Sequence, residues 1–160
     1  VVGALATHYH PYHVGGSMMG WEIEGAAELA AIDGVEARLH CHRDEARGIK
    51  QVTGLSDSDL VLHDGGDVVE VGAIRVELVH TPGHTPGSQC FLVDGMLVSG
   101  DTLFLDGCGR TDLPGGSFAT LEKSIREQIY TLPDETALHP GHGPATTVGD
   151  EKSLNPFVRG

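Results

Sequence analysis

The chain has 160 residues, of which 39% are apolar and 21% are charged, a composition typical of one globular domain with its own core. Its formal net charge is −13, which argues against nucleic acid and anionic membranes as partners because both bind basic surfaces. We recognise neither a signal peptide nor an apolar run of membrane-spanning length. The three cysteines have no metal-finger spacing and predict free thiols in a reducing compartment, which favours the cytoplasm.

The first half of the chain predicts short strands that alternate with helices. An apolar start is typical of a strand, and an Ala-rich segment with three glutamates is typical of a helix, although Gly25 weakens it. We find no repeat or linker, so we expect one domain over residues 1–160. In chain order, the predicted elements are a strand over 1–6, a helix over 18–32, a strand over 35–40 and a short helix over 44–53.

The second half predicts two hairpins, one helix and a final strand. Alternating apolar residues flank Gly72 and the Asp94-Gly95 turn, which predicts hairpins of 67–71 with 73–79 and of 89–93 with 96–98. Ser117 is expected to cap a helix that continues to about residue 131, because apolar residues recur at helical spacing. A strand over 136–138 and a helical turn over 150–154 complete an α/β fold with its chemistry in the loops at strand ends.

A dense histidine run follows the first predicted strand. Residues 7–16 read Thr-His-Tyr-His-Pro-Tyr-His-Val-Gly-Gly, with His8, His10 and His13 inside six residues. Three imidazoles so close together are costly to protonate at once, and neutral imidazole is the commonest metal ligand of proteins. The run therefore predicts a bound divalent cation rather than a surface histidine cluster.

Three later loops carry further metal-ligand residues. His84 stands between two Pro-Gly pairs, Asp101 directly follows a predicted strand, and His142 lies within Pro-Gly-His-Gly-Pro. Proline fixes φ and glycine permits unusual φ, so such loops hold their central side chains in place. Five histidines and one aspartate suffice for two metal ions that share a bridging carboxylate.

These motifs together resemble the metallo-β-lactamase fold superfamily and, within it, the glyoxalase II-like hydrolases. The resemblance covers the whole chain and implies a four-layer αββα sandwich with metals at one edge. It implies two divalent ions, zinc first and iron or manganese as alternatives. The implied first site is His8, His10 and His84, and the second includes His13 and His142, with Asp101 as the bridge. Because the family's first strands have no counterpart here, we expect the domain to be incomplete at its N-terminus. The matching segments are the histidine run, His-Thr-Pro-Gly-His-Thr-Pro-Gly-Ser, Ser-Gly-Asp-Thr-Leu-Phe, Gly-Cys-Gly-Arg-Thr-Asp, Pro-Gly-His-Gly-Pro and Asn-Pro-Phe.

Tyr12 departs from the family pattern. The family motif is His-x-His-x-Asp-His, and Tyr12 occupies the position of the Asp, which in the family binds the second metal and orients the attacking hydroxide. A phenol with a pKa of about 10 is a poor replacement at neutral pH. Three interpretations stay open: a single-base change, a natural member of low activity, and an enzyme retuned to one metal.

Other residues have competing interpretations. Arg110 matches a basic position that glyoxalase II-like enzymes place near the substrate's carboxylates, but a salt bridge to Asp106 or Asp112 is an equal alternative. His139 could support the neighbouring His142 loop. The remaining histidines and the cysteine beside Arg110 are expected to be structural: His40, His42, His63, His80 and Cys108.

Three functions compete. The first is a hydrolase of small-molecule thiol esters, such as S-acylglutathione, in which metal-bound hydroxide attacks the carbonyl. The second is a persulfide dioxygenase with one iron on His8, His84 and Asp101, a ligand set that suits oxygen chemistry and leaves Tyr12 uninvolved. The third is a degenerate, non-catalytic domain. The acyl group, the thiol carrier and the oligomeric state cannot be derived from the sequence.

Overall fold

The computed structural model describes residues 2–34 and 37–160. The chain divides into two compact units, Val1–His63 and Asp64–Gly160, here called the first and the second unit. Each unit has its own sheet and its own cluster of buried apolar side chains. The expectation of one domain over 1–160 stays a prediction.

The first unit is built on a parallel three-stranded sheet in the order β1-β4-β5. Leu39 and Cys41 on β4, Ile49 on α3 and Leu60 on β5 form its buried cluster. Two 3₁₀ turns, Arg43–Glu45 and Asp57–Asp59, lie on either side of α3. The elements are β1 (Gly3–Leu5), α1 (Pro11–Val14), β2 (Gly16–Met18), β3 (Trp21–Ile23), α2 (Ala26–Ala30), β4 (Arg38–His42), α3 (Ala46–Thr53) and β5 (Leu60–His63).

The helix predicted over 18–32 is wrong in its first part. The strands β2 and β3 form an antiparallel hairpin there, and only α2 is helical. Met19 and Gly20 have φ of 53° and 84°, the left-handed region that a two-residue hairpin turn requires and a helix cannot contain. The described part of the strand predicted over 35–40 belongs to β4, and residues 35 and 36 lie outside the described residues.

The second unit is built on a six-stranded sheet in the order β13-β12-β9-β8-β7-β6. Both predicted hairpins are confirmed, since β6 pairs with β7 and β8 pairs with β9 in antiparallel register. A further two-stranded ribbon is formed by β10 and β11. The elements are β6 (Val68–Val71), β7 (Ile74–His80), β8 (Gln89–Val93), β9 (Met96–Gly100), β10 (Leu103–Phe104), β11 (Gly107–Cys108), α4 (Phe118–Ser124), β12 (Ala137–Pro140), β13 (Thr146–Thr147) and α5 (Val148–Leu154).

The predicted helix cap at Ser117 is confirmed. Its hydroxyl accepts a hydrogen bond from the Thr120 N–H, which satisfies a donor at the helix N-terminus. The helix continues from α4 into a π-helical turn, Ile125–Ile129, where the Tyr130 N–H donates to the Ile125 carbonyl. Three side chains of its apolar stripe are fully buried whereas Phe118 is 43% exposed, and burying one such side chain contributes about 1.5–3 kcal/mol. Its cluster contains Leu121, Ile125 and Ile129 of the helix together with Leu97 and Leu138 of the sheet.

None of the helices in residues 2–34 and 37–160 is long and apolar enough to cross a membrane. The loops with the predicted ligands all begin where a strand ends. The histidine run follows β1, the His84 loop follows β7, Asp101 follows β9, and the His142 loop follows β12. The predicted position of these residues in loops at strand ends is confirmed within each unit.

Candidate metal centre

In the first unit the histidine run folds into a tight, rigid loop. His10 has extended backbone angles and precedes the one-turn helix α1, whose first residue is Pro11. Proline is pre-organised for this position because its φ is helical and its missing N–H would have no helical partner. The His13 N–H donates to the His10 carbonyl at 2.9 Å, so the turn brings the two residues together.

His8 lies at the centre of this loop. Its ring centroid is 4.8 Å from that of His10 and 4.2 Å from that of His13. The side chain is 1% exposed, and its Nδ1 is hydrogen-bonded to the Thr7 hydroxyl at 3.1 Å. When Nδ1 donates in this bond, Nε2 carries the lone pair that a metal needs. The three histidines that the sequence singled out are therefore brought together in the first unit.

Glu45 anchors the histidine loop from a distant part of the sequence. Its buried carboxylate accepts a hydrogen bond of 2.7 Å from the Tyr9 N–H, between His8 and His10. The Tyr9 ring packs on Gly48, where a Cβ would come closer to the ring than real Cβ contacts allow. Sequence reasoning missed the role of Glu45. The only local signal for this residue is its position as an acidic residue just before α3.

In the second unit Asp101 lies between two imidazoles. Its Oδ2 is 3.5 Å from His84 Nε2 and 3.5 Å from His142 Nε2. The His84 Nδ1–H donates to the Arg110 carbonyl at 2.7 Å, which directs the Nε2 lone pair towards Asp101. His84 is buried, whereas the His142 side chain is 54% exposed. The structure thus brings together the second set of predicted ligands.

The donor chemistry of both sets fits a divalent cation. Zinc bonds imidazole nitrogen and carboxylate oxygen at about 2.0–2.2 Å, so two ligands of one tetrahedral ion lie roughly 3.3–3.6 Å apart. The distances between Asp101 Oδ2 and its two imidazole nitrogens agree with this spacing. The pairs His84–Asp101 and His142–Asp101 are each spaced as two ligands of one cation, and His8, His10 and His13 supply further imidazoles in the first unit.

Short contacts to the backbone hold Asp101 in position. The Gly109 N–H donates to the Thr102 carbonyl, and a Cβ at Gly109 would collide with the Asp101 carbonyl oxygen. The Thr102 hydroxyl is hydrogen-bonded to that of Thr81 at 2.9 Å, at the start of the His84 loop. His80 is hydrogen-bonded through Nε2 to the Pro86 carbonyl at 3.0 Å, which closes the same loop.

Tyr12 does not lie among buried groups. Its side chain is 65% exposed and lines an apolar cleft of about 490 Å³ together with residues of the β2–β3 hairpin. A long aromatic side chain reaches beyond the point where a carboxylate would end, which accounts for this exposed position. The sequence predicted a poor metal ligand at this position and contained no signal for the cleft.

Arg110 forms the ion pair with Asp112 rather than with Asp106. Its guanidinium donates two hydrogen bonds of 2.7 Å to the Asp112 carboxylate, and both side chains are exposed. These hydrogen bonds lower the pKa of Asp112 to about 2. The backbone carbonyl of Arg110 orients His84, and the sequence could not show this role. A substrate contact by the side chain stays a prediction.

The remaining histidines have structural partners. His40 Nδ1 and His63 Nε2 are hydrogen-bonded at 2.9 Å between neighbouring strands, and His42 accepts from the Asp44 N–H at 3.3 Å. His139 is exposed on β12. The cysteines are free thiols, and burial raises the pKa of Cys41 and of Cys90 to about 11. Burial also raises the pKa of Cys108, so no cysteine here has the character of a thiolate nucleophile.

Comparison with known proteins identifies the family. Residues 1–142 match the model of the metallo-β-lactamase superfamily, and the chain belongs to this superfamily. Its members are in general metallo-hydrolase enzymes that bind divalent metals. The expected mixed α/β fold of the metallo-β-lactamase type is confirmed by the crystal structure of BLEG-1, a B3 metallo-β-lactamase. That structure superposes with a TM-score of 0.77 at 32% identity over 99% of this chain and 78% of that chain.

Two curated relatives represent two different reactions. The hydroxyacylglutathione hydrolase GloC of Haemophilus influenzae is 36% identical over 96% of this chain and 74% of its own length. The mitochondrial persulfide dioxygenase ETHE1 of Mus musculus is 36% identical over 73% of this chain and 53% of its own length. The chain spans about half the length of several other curated relatives that it matches.

Proposed function

We propose that the chain acts as a metal-dependent hydrolase of thiol esters such as S-acylglutathione, in a reducing, cytoplasmic setting. The observation that carries the proposal is the position of Asp101, whose Oδ2 lies 3.5 Å from the Nε2 atoms of two histidines. A carboxylate oxygen between two imidazoles suits a bridge between two cations, whereas the mononuclear alternative of His8, His84 and Asp101 gives the neighbouring His142 no role. The similarity to GloC along nearly the whole chain supports the same class of substrate.

The ligands of the proposed centre are the two donor sets. Following the family pattern, we propose that His8, His10 and His84 form one site and that His13 and His142 contribute to the other, with Asp101 in both. When bound, the cations would supply a Lewis acid and would lower the pKa of a bound water. Zinc is the proposed metal, and iron and manganese are alternatives that the same donors accept.

The chain's own residues would position and polarise the substrate. The Arg110 carbonyl holds His84 in one tautomer, and Thr7 and Glu45 hold the histidine run, so the ligands need no reorganisation at the moment of reaction. No protein nucleophile is required, in agreement with the high thiol pKa of Cys41 and Cys90. The Arg110 guanidinium is proposed to attract a carboxylate of the glutathione part.

A persulfide dioxygenase is the second candidate. It is favoured by the similarity to mouse ETHE1 and by the exposed position of Tyr12, because a site of His8, His84 and Asp101 would not need a ligand at residue 12. His142 has no part in that three-ligand site. The two functions therefore differ in what they require of His142.

The test is a metal analysis combined with two activity assays. The purified chain is analysed for zinc, iron and manganese, then assayed for hydrolysis of S-lactoylglutathione and for oxygen consumption with glutathione persulfide. The hydrolase should hold between one and two metals per chain, because Tyr12 weakens the second site, and His142→Ala should lower both metal content and hydrolysis, the latter by about 10²-fold. His139→Ala, on the preceding strand, is the matched control. One iron per chain with oxygen consumption unaffected by His142→Ala would establish the dioxygenase, and the absence of both activities in the metal-loaded chain would leave the degenerate domain.

A further inference from the structure

We propose that the cleft between Tyr12 and the β2–β3 hairpin binds an apolar acyl chain of the thiol-ester substrate, with Trp21 as its main contact. The inference rests on the proposed hydrolase function and narrows its substrate class to thiol esters of medium-length acyl groups. It would make residue 12, a metal ligand in the family pattern, part of the wall of an acyl-binding cleft.

The hairpin has one apolar and one polar face. Met18 pairs with Trp21 across the two strands, and Gly16 pairs with Ile23, so these side chains lie on the same face. Ser17 pairs with Glu22 on the opposite face. Strands with this alternation usually bury their apolar face. Here, however, Trp21 is 76% exposed and Met19, in the turn, is 90% exposed. Exposed apolar surface of this kind, next to a reaction centre, is typical of a ligand-binding site.

The base of the hairpin is firmly packed, whereas its tip projects. Gly15, just before β2, has a φ of 87°. A Cβ there would lie 2.8 Å from the backbone of Gly25, which follows β3 at the same base of the hairpin. Gly16 packs even more closely on the carbonyl oxygen of Val52 in α3. At the tip, a Cβ on Gly20 would meet nothing within 4 Å. The apolar face is therefore held at a defined place without being covered by its own unit.

Continuity with the histidine run identifies the occupant. Tyr12 lies in α1 between His10 and His13, and its side chain lines the cleft with Met18 and Trp21. The cleft therefore shares Tyr12 with the histidine run, and this is the basis for placing in it the acyl end of a substrate held at the histidines. The cleft volume of about 490 Å³ lies in the range of small-molecule sites, roughly 300–1,000 Å³.

The charge near the cleft excludes other occupants. Glu22, whose side chain belongs to the polar face of the hairpin, is the one charged residue at the cleft, and the chain carries a net charge of −13. An anionic membrane surface or the carboxylate end of a glutathione conjugate would be repelled here. A neutral hydrocarbon chain matches the apolar lining. Flexible methionine side chains also adapt to acyl groups of different shape.

Trp21 makes the cleft directly observable, because it is the only tryptophan in the chain. The non-hydrolysable thioether S-octylglutathione should shift Trp21 fluorescence to shorter wavelength on binding, and S-methylglutathione should not. Met19→Ala should weaken the octyl response about tenfold. Phe157→Ala, at an exposed apolar residue of the second unit, is the matched control and should leave the response unchanged.

Kinetics supply the second readout. Among acetyl-, butyryl- and octanoyl-glutathione, kcat/KM should rise by about fourfold for each methylene that enters the cleft. Trp21→Ala should lower kcat/KM for the octanoyl ester about 10- to 30-fold more than it lowers kcat/KM for the acetyl ester. Because Trp21 is exposed and packs on little else, the variant is expected to fold, and Met19→Ala repeats the test at a second position.

The outcomes separate the cleft from the proposed function. Thiol-ester hydrolysis with the same chain-length preference in wild type and Trp21→Ala would overturn the cleft and retain the hydrolase. A fluorescence response to S-octylglutathione without hydrolysis of any ester would retain the cleft and overturn the hydrolase. A fluorescence shift that increases with protein concentration together with the mass of a dimer would assign the surface to a second copy of the chain. A shift caused by phosphatidylcholine vesicles would assign the surface to a membrane. Either result would overturn the acyl site.

Discussion

Replacing Gly109 with alanine tests how the backbone positions Asp101. Gly109 lies between β11 and Arg110, and its N–H donates to the Thr102 carbonyl at 3.3 Å. An alanine Cβ would collide with the Asp101 carbonyl oxygen and would lie 3.2 Å from His84 Cβ. The first neighbour is a backbone atom that cannot rotate away. One of the two backbone segments must therefore move by roughly 1 Å, as in other overpacked positions.

This displacement should affect both the stability and the function of the variant. Overpacking of this kind should lower the free energy of unfolding by about 1–3 kcal/mol. A shift of 1 Å exceeds the roughly 0.2 Å tolerance of metal–ligand distances, so metal affinity should fall by about 10- to 100-fold and the hydrolysis rate by about 10²-fold. The loss of function should therefore exceed what the loss of stability alone produces at a temperature where the variant is folded.

Gly107→Ala is the matched control for this experiment. A Cβ at Gly107 would have its nearest neighbours at 3.7 Å, an ordinary contact distance, in the same loop and with the same substitution. Metal content by elemental analysis, thermal unfolding by circular dichroism and S-lactoylglutathione hydrolysis are compared for both variants. If Gly109→Ala and Gly107→Ala bind metal and hydrolyse the ester equally well, backbone packing at Gly109 does not position Asp101 and the reasoning is refuted.

Three further predictions concern other parts of the molecule. Tyr12→Asp should raise metal content towards two per chain and hydrolysis by about 10- to 100-fold, because a carboxylate binds cations better than a phenol; unchanged metal content and rate would reject a repairable second site. Arg110→Ala should raise KM for glutathione thiol esters by about tenfold with little effect on folding, since its ion pair with Asp112 is exposed; an unchanged KM would confine Arg110 to the ion pair. Cys41 and Cys90 have a higher pKa in the folded state than the usual value near 8.5, so the folded state keeps its protons longer. Denaturant titrations should therefore show stability that is complete below about pH 8.5 and falls as pH rises towards 11, and a rise over this range would contradict the thiol burial.

Local sequence signals predicted the elements whose determinants are close together in the chain. The Asp94-Gly95 turn and the Ser117 cap both act within a few residues, so the hairpin and the helix that they predict appear in the structure. The helix predicted over 18–32 failed because Ala and Glu propensities are weak, whereas the left-handed backbone at Met19 and Gly20 excludes a helix. The glycine directly after the methionine pair, Gly20, was the one signal that could have indicated the turn.

The sequence by itself determined the family and predicted which histidines and which aspartate are metal ligands, because metal-ligand residues must be of a few types and lie in loops that hold them rigidly. Only the tertiary structure decided how those ligands are supported. The Glu45 carboxylate reaches Tyr9 across 36 positions of sequence, and the Arg110 carbonyl reaches His84 across 26. Such contacts form only when distant segments pack together. A contact with a backbone carbonyl has no sequence signal at all, because every residue carries that atom. The apolar cleft beside Tyr12 could not be predicted from the sequence for the same physical reason. It depends on how the β2–β3 hairpin folds back rather than on any single residue type.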